Sequence, residues 1–220
     1  MNKQRVHPLA PVVGLDIDGT LGDYYGHFHR FAEQYLQEPL DVDWKPETNQ
    51  AVEFSDALDL PKSVYRDIKL AYRQGGMKRS LPVLDDHLMA MVQNLRREKG
   101  LQVWICTTRP WQRLDNIDPD TQFWLNRNVG RVDGVIYGEE KYEDLIDIVG
   151  RERIIGIFDD LPENVEEADA LGLRSALRAG DHNAWWTNSD APDQTLIDVV
   201  HSAAGIYETV QRWIENGAVL

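Results

Sequence analysis

Two aspartates, Asp16 and Asp18, stand with one residue between them at the end of the apolar run Val12-Val13-Gly14-Leu15, with Gly19 and Thr20 directly after them. Residues two apart on an extended chain point the same way, so both carboxylates can face one site. Carboxylates placed like this suit nucleophilic attack, proton transfer or the holding of a hard cation. A calcium loop of the EF-hand type is excluded: it needs glycine at its sixth position and glutamate at its twelfth, and Leu21 and His27 stand there. A surface Asp-Gly turn is the remaining plain reading, and it sits poorly after so apolar a strand.

The elements that would position this pair are legible as apolar runs rich in β-branched residues. They cover residues 11–17, 102–106, 134–137, 154–158 and 174–177. Several are continuously apolar, as strands buried on both faces are. Between them lie segments of helical period. Leu84, Leu88, Met91, Val92 and Leu95 form one stripe, with Asp85 or Asp86 as cap and Gly100 as stop. Residues 119–129, 142–149 and 162–171 each run to a glycine. Residues 194–214 read as one long amphipathic helix through Leu196, Val199, Val200, Ala203, Ile206, Val210 and Trp213. Its apolar face is expected to pack on the domain, with a contact between two copies of the chain as the alternative. Strand and helix alternate as in a Rossmann-like, doubly wound parallel α/β sheet.

Ligands in such folds bind beyond the carboxyl ends of the strands. The second run leads into Thr107, Thr108, Arg109 and Pro110, the third into Glu139-Glu140-Lys141, and the fourth into Asp159-Asp160. Each has a bland alternative: a threonine after a strand, a surface lysine, a helix cap. Together they bring acids, hydroxyls and a cation to one edge of one sheet.

In that order these residues resemble the haloacid dehalogenase superfamily of phosphotransferases, over residues 12–177. Within it the closest likeness is to 5′(3′)-deoxyribonucleotidases. Those carry Thr-Ser-Pro after the second strand, where this chain has Thr107-Thr108-Arg109-Pro110; the departure bears on substrate rather than chemistry. The resemblance implies Asp16 as nucleophile, forming an aspartyl-phosphate, and Asp18 as general acid and base. It implies Mg²⁺ held by Asp16, the backbone carbonyl of Asp18 and one of Asp159 and Asp160. Thr107 and Lys141 would bind the phosphoryl group, with backbone amides around Ile17, Asp18 and Thr108 completing the cradle. An acid at position 18 resembles the pattern of phosphoester hydrolases and phosphomutases, not of dehalogenases.

Residues 23–81 interrupt the alternation, broken by Pro39, Pro46 and Pro61. Stripes at Phe28, Phe31 and Tyr35 and at Val64, Ile68 and Ala71 make this a small helical cap inserted after the first strand. Residues 1–22 and 82–220 would form the core domain. Tyr24, Tyr25, Phe28, Phe31, Trp44 and Phe54 are candidates for stacking on a base, with Tyr24, Phe28 and Arg109 named as substrate contacts. The alternative is that these aromatics form the cap's own core and that Arg109 makes a salt bridge. His27 and His29 are expected to face solvent. Trp185 and Trp186 suggest no role.

With a net charge of −14 over 220 residues, the chain repels polyanions. Long nucleic acids and anionic membranes are disfavoured, and a small phosphorylated substrate, such as a deoxyribonucleoside monophosphate, is favoured. A 3′-phosphorylated polynucleotide or a phosphosugar is the alternative substrate, and an inactive phosphate-binding relative the alternative class. No apolar run approaches the ~20 residues of a membrane span, and acids follow the N-terminal basic residues too soon for a signal sequence; a cytoplasmic protein is expected. Cys106 is the one cysteine, in an apolar run, so a buried thiol is expected.

Overall fold

The computed structural model describes residues 9–48, 50–188 and 197–217. Its centre is a six-stranded sheet of β1 (Val12–Leu15), β2 (Gln102–Thr107), β3 (Gly134–Tyr137), β4 (Ile154–Asp159), β5 (Ser175–Arg178) and β6 (Asp198–Val200), ordered β3-β2-β1-β4-β5-β6. Every pairing is parallel, and the order reverses on either side of β1, where doubly wound sheets open a crevice.

Alternation along the strands explains why both faces are covered. Val13, Leu15, Val103, Ile105 and Ile155 join one apolar cluster, while Val12, Cys106, Ile154 and Ile157 join another. Over the first face pack α4 (Leu88–Glu98), α5 (Ile117–Asn128) and α9 (Ala203–Glu215); over the second, α6 (Lys141–Val149), α7 (Pro162–Ala170) and the short α8 (Ala184–Thr187). Cys106 is fully buried, and burial pushes its thiol up to about 12.

The long C-terminal helix read from the sequence is corrected. Residues 198–200 pair with β5 as a sixth strand, and α9 starts only at Ala203, capped by the Ser202 side chain. Val199 and Val200 fit a helical stripe, but their β-branched side chains also suit a sheet edge, and pairing decided. Gln194 and Leu196 lie outside the described residues. The expected cap of α4 also fails: His87 occupies the N-cap position, and Asp85 instead pairs with Arg178 at 2.9 Å.

Between β1 and α4 the chain forms α1 (Tyr24–Leu36), α2 (Phe54–Ala57) and α3 (Lys62–Gln74), packed on their own cluster of Phe28, Ala32, Phe54, Leu58, Ile68 and Tyr72. Asp23 caps α1 by accepting from the Gly26 amide at 2.9 Å. The two connections to the sheet run side by side: the Asp23 amide donates to the Pro82 carbonyl, and the Leu84 amide to the Leu21 carbonyl. Phe28 is sealed inside this cluster, 0% exposed, and so is not open to a ligand; Tyr35, placed on the same stripe, is half exposed. Among the described residues no helix is long and apolar enough to cross a membrane.

Candidate active site

At the C-terminal end of β1 the Asp16 amide donates to the Phe158 carbonyl of β4, and the chain then turns sharply. Gly19, with φ of +98°, makes that turn, and a Cβ there would lie 2.1 Å from an Asp160 carboxylate oxygen. Glycine is therefore required twice over, by conformation and by the approach of the loop to Asp160. Thr20 reinforces the approach by donating to Asp160 at 3.3 Å.

The structure brings Asp16, Asp159, Asp160 and Lys141 together. One carboxylate oxygen from each aspartate lies within 4.8 Å of the others, and all three residues are buried. Lys141 Nζ donates to Asp16 at 2.9 Å and to Asp159 at 2.6 Å. As the first residue of α6, Lys141 places a buried cation at the positive end of a helix, normally an unfavourable position; its two carboxylate partners offset that. Burial pulls its pKa down, but Asp159 and Asp16 outweigh burial and hold the ammonium charged, above its ordinary range. Asp16 is in the opposite position. Burial, helped by the charges of Asp159, Asp160 and Asp18, drives its pKa well above the carboxylate range against the pull of Lys141.

Asp159 and Asp160 differ in what they touch. Both Asp159 oxygens are committed: one accepts from the Leu161 amide and from Asn164, each at 3.0 Å, the other from Lys141 and the Tyr142 hydroxyl. Asp160 meets Thr20 of the loop after β1, the Tyr25 hydroxyl of α1 at 3.2 Å, and His182, after β5, at 2.8 Å. The three carboxylates form a hard-oxygen donor set with more negative charge than Lys141 can balance, which fits a divalent cation.

Asp18 turns to other partners. Arg109 grips it through Nε at 3.0 Å and Nη2 at 2.7 Å, and Lys78 Nζ donates to it at 2.5 Å. Burial raises its pKa, but Arg109 and Lys78 prevail and hold the carboxyl well below the usual range. Arg109 is itself fixed by Thr121 at 3.0 Å; its salt bridge answers the alternative left open by the sequence. Lys78 lies over the Tyr24 ring at 4.0 Å, and burial brings its ammonium down to about 7 despite Asp18. Thr107 ends β2 and is buried, and Thr108 follows half-buried.

Sequence reasoning missed Lys78, Tyr142, Asn164 and His182. Lys78 follows Gly75-Gly76 in a polar stretch with no periodicity, so nothing marked it. Asn164 was within reach, because an amide five residues after an acid and two after Pro162 can fold back from a first helical turn. His27 and His29 keep only part of their surface open to solvent: His27 meets the Tyr72 hydroxyl of α3 and His29 the Leu40 carbonyl just beyond α1, each at 2.7 Å. Trp186 is buried and donates to Glu166 at 2.9 Å.

The fold is that of the haloacid dehalogenase-type hydrolases. A haloacid dehalogenase-like family hydrolase from Streptococcus pneumoniae superposes with a TM-score of 0.59 at 14% identity, over 92% of this chain and 99% of its own. A protein described as a predicted phosphoglycolate phosphatase from Haemophilus somnus gives a TM-score of 0.61 at 12% identity, over 92% and 99%. CbbY from Rhodobacter sphaeroides, solved in complex with phosphate, gives 0.56 at 14% identity, over 90% and 96%. Compared by sequence, the chain matches no family model and no curated relative.

Proposed function

We propose that the chain is a magnesium-dependent phosphomonoester hydrolase that works through an aspartyl-phosphate on Asp16. The observation that carries this reading is the convergence of Asp16, Asp159 and Asp160 within 4.8 Å, with Lys141 bridging two of them, at the carboxyl edge of a haloacid dehalogenase-type sheet. Three buried acids share Lys141 and His182, more acid than a single structural ion pair uses, and such crowding is concentrated at functional sites.

In this reading Asp16, the Asp18 carbonyl and Asp160 would hold the ion, because both oxygens of Asp159 already accept from Lys141, Tyr142, the Leu161 amide and Asn164. The bound ion supplies positive charge at the phosphoryl oxygens. Asp16 attacks phosphorus, the bond to the ester oxygen breaks, and the departing oxygen takes a proton from Asp18. Asp18 then takes a proton from the water that cleaves the aspartyl-phosphate. Lys141 and Thr107 bind phosphoryl oxygens, with Thr108 beside them. Asp18 can hold a proton only if its grip by Arg109 and Lys78 loosens, and an entering phosphate dianion competes for those two cations. Substrate binding thus readies the acid.

The substrate proposed is a small nucleotide, a deoxyribonucleoside 5′- or 3′-monophosphate, with residues 23–81 acting as the cap that closes over it. Tyr25, Trp44 and Phe54 support a ring-bearing substrate because they line the same cavity beneath the cap. A phosphosugar phosphatase is the second reading, favoured by CbbY, solved as a mutant with xylulose-(1,5)bisphosphate. The deciding experiment is phosphate release from p-nitrophenyl phosphate, nucleoside monophosphates and sugar phosphates, with magnesium and with EDTA. Magnesium-dependent release that Asp16→Asn abolishes is the expected result. Equal release by Asp16→Asn sinks the mechanism, and a sugar phosphate preferred over every nucleotide sinks the substrate.

A further inference from the structure

His182 lies beyond the stretch of sequence that supplies the carboxylate cluster, yet its side chain reaches that cluster. It belongs to a single 3₁₀ turn, Asp181–Asn183, that follows β5. Its Nε2 lies 2.8 Å from Oδ2 of Asp160, and the two side chains are 9% and 1% exposed. A carboxylate oxygen that has lost its proton only accepts, so Nε2 carries the hydrogen.

The turn is built around this contact. The side-chain amide of Asn183, buried, donates to the backbone carbonyls of Asp160 at 2.7 Å and of Arg178 at 2.8 Å. Its oxygen accepts from the Gly180 amide at 2.9 Å. One side chain thus pins the segment after β5 to the residue whose carboxylate His182 meets. A Cβ on Gly180 would stand 2.9 Å from two atoms of the His182 ring, so the glycine leaves room for the ring to fold back. On α1 the Tyr25 ring stacks on the imidazole, with centroids 4.0 Å apart and planes 24° apart. Between the pinned turn and the tyrosine the imidazole has little freedom to rotate.

That placement decides how Asp160 is held. Oδ2 takes His182 and the Tyr25 hydroxyl, the latter at 3.2 Å. Oδ1 meets the Thr20 hydroxyl at 3.3 Å. Each carboxylate oxygen accepts along two lone-pair directions, so donors gathered on Oδ2 fix the plane of the group and leave capacity on Oδ1. The group so fixed belongs to the cluster in which oxygens of Asp16, Asp159 and Asp160 lie within 4.8 Å of one another. A carboxylate whose orientation is already set loses less freedom on ligating a cation, which is why the partners of ligands matter to affinity. Asp159 is set by α6 and the start of α7; Asp160 depends on His182 and α1.

We propose that His182 is a positioning residue for the divalent cation, orienting Asp160 as its ligand with Tyr25 of α1 as the second support on the same oxygen. The proposal rests on the metal-dependent reading of the cluster. His182 acts through Asp160 and takes no part in proton transfer.

Calorimetric titration of the full chain with magnesium chloride, without substrate, reads cation affinity independently of turnover. His182→Phe keeps a ring against Tyr25 and removes both nitrogens; it should weaken binding about tenfold or more. His182→Gln, whose amide can donate from near the Nε2 position, should recover most of the lost affinity. Both variants should retain the wild-type near-ultraviolet dichroism. A histidine that only packs would not separate the two. Equal affinity in wild type and His182→Phe, or equal loss in both variants, overturns the proposal and leaves the metal reading standing. No saturable heat from the wild type overturns both. Should His182→Phe fail to fold, Tyr25→Phe, which keeps the stack and loses the hydroxyl, decides in its place: weaker magnesium binding supports the proposal and unchanged binding overturns it.

Discussion

Asp16 and Asp18 are separated only by Ile17 and chemically identical, yet their surroundings push them in opposite directions. Asp16 is crowded by two further buried acids and finds one lysine, while Asp18 finds two cations. The first difference gives a paired prediction. Asp16→Asn should lower turnover by ~10³-fold or more, and without metal it should also raise the unfolding midpoint, by roughly 2–4 °C for ~1 kcal/mol in a chain of this size. Stabilisation follows because the amide removes a charge that burial and its neighbours disfavour; thermal scans in EDTA check it, and a lower midpoint would show that the Lys141 contact dominates instead. The second difference predicts a pH dependence. The folded pKa of Asp18 lies below its ordinary 3.8, so its stabilisation is complete above about pH 5 and is lost as pH falls through the lower folded value. Stability measured from about pH 5 down to 2 should fall less steeply in Asp18→Asn than in wild type. An identical slope would mean that the contacts with Arg109 and Lys78 do not persist in solution.

At the scale of elements, a strand end and a helix start do most of the positioning. Lys141 opens α6 and reaches Asp16 and Asp159 from a position where a helix repels a cation. Lys141→Ala should therefore cost most of the activity, and Lys141→Arg should not restore it, since a guanidinium does not fit between two carboxylates spaced for one ammonium. Steady-state kinetics on p-nitrophenyl phosphate distinguish this from a lysine that only packs. Elsewhere the fold depends on close approach: a Cβ on Gly156 in β4 would stand 2.3 Å from the Trp213 ring of α9. Gly156→Ala should destabilise by ~1–3 kcal/mol, read by urea unfolding, while leaving the metal requirement unchanged. That glycine is legible in the sequence only as a gap in an apolar strand, because the tryptophan that fills it lies 57 residues further on.

At the scale of the whole molecule, charge and metal are linked. The chain carries −14 and concentrates three acids at one buried point, so a bound divalent cation relieves repulsion in the folded state alone. Adding magnesium at about 100 times its dissociation constant should therefore stabilise the protein by ~2.7 kcal/mol, visible as a midpoint that climbs with magnesium and falls back with EDTA. A midpoint indifferent to magnesium would count against the cluster as a metal site.

The sequence by itself determined the alternation of five strands with covering helices in a parallel sheet, because a strand buried on both faces must be continuously apolar and each covering helix must carry a stripe. It also placed Asp16, Thr107, Lys141, Asp159 and Asp160 near one edge, because side chains at strand ends inherit their position from the strands. Only the tertiary structure decided that residues 198–200 join the sheet, since a β-branched pair satisfies both periodicities and the neighbouring strand edge broke the tie. Tertiary structure likewise chose the partners of Asp18 and of Arg178. Those pairings join residues 60 to 93 positions apart, and no local pattern of apolar spacing encodes which charge a distant loop will bring.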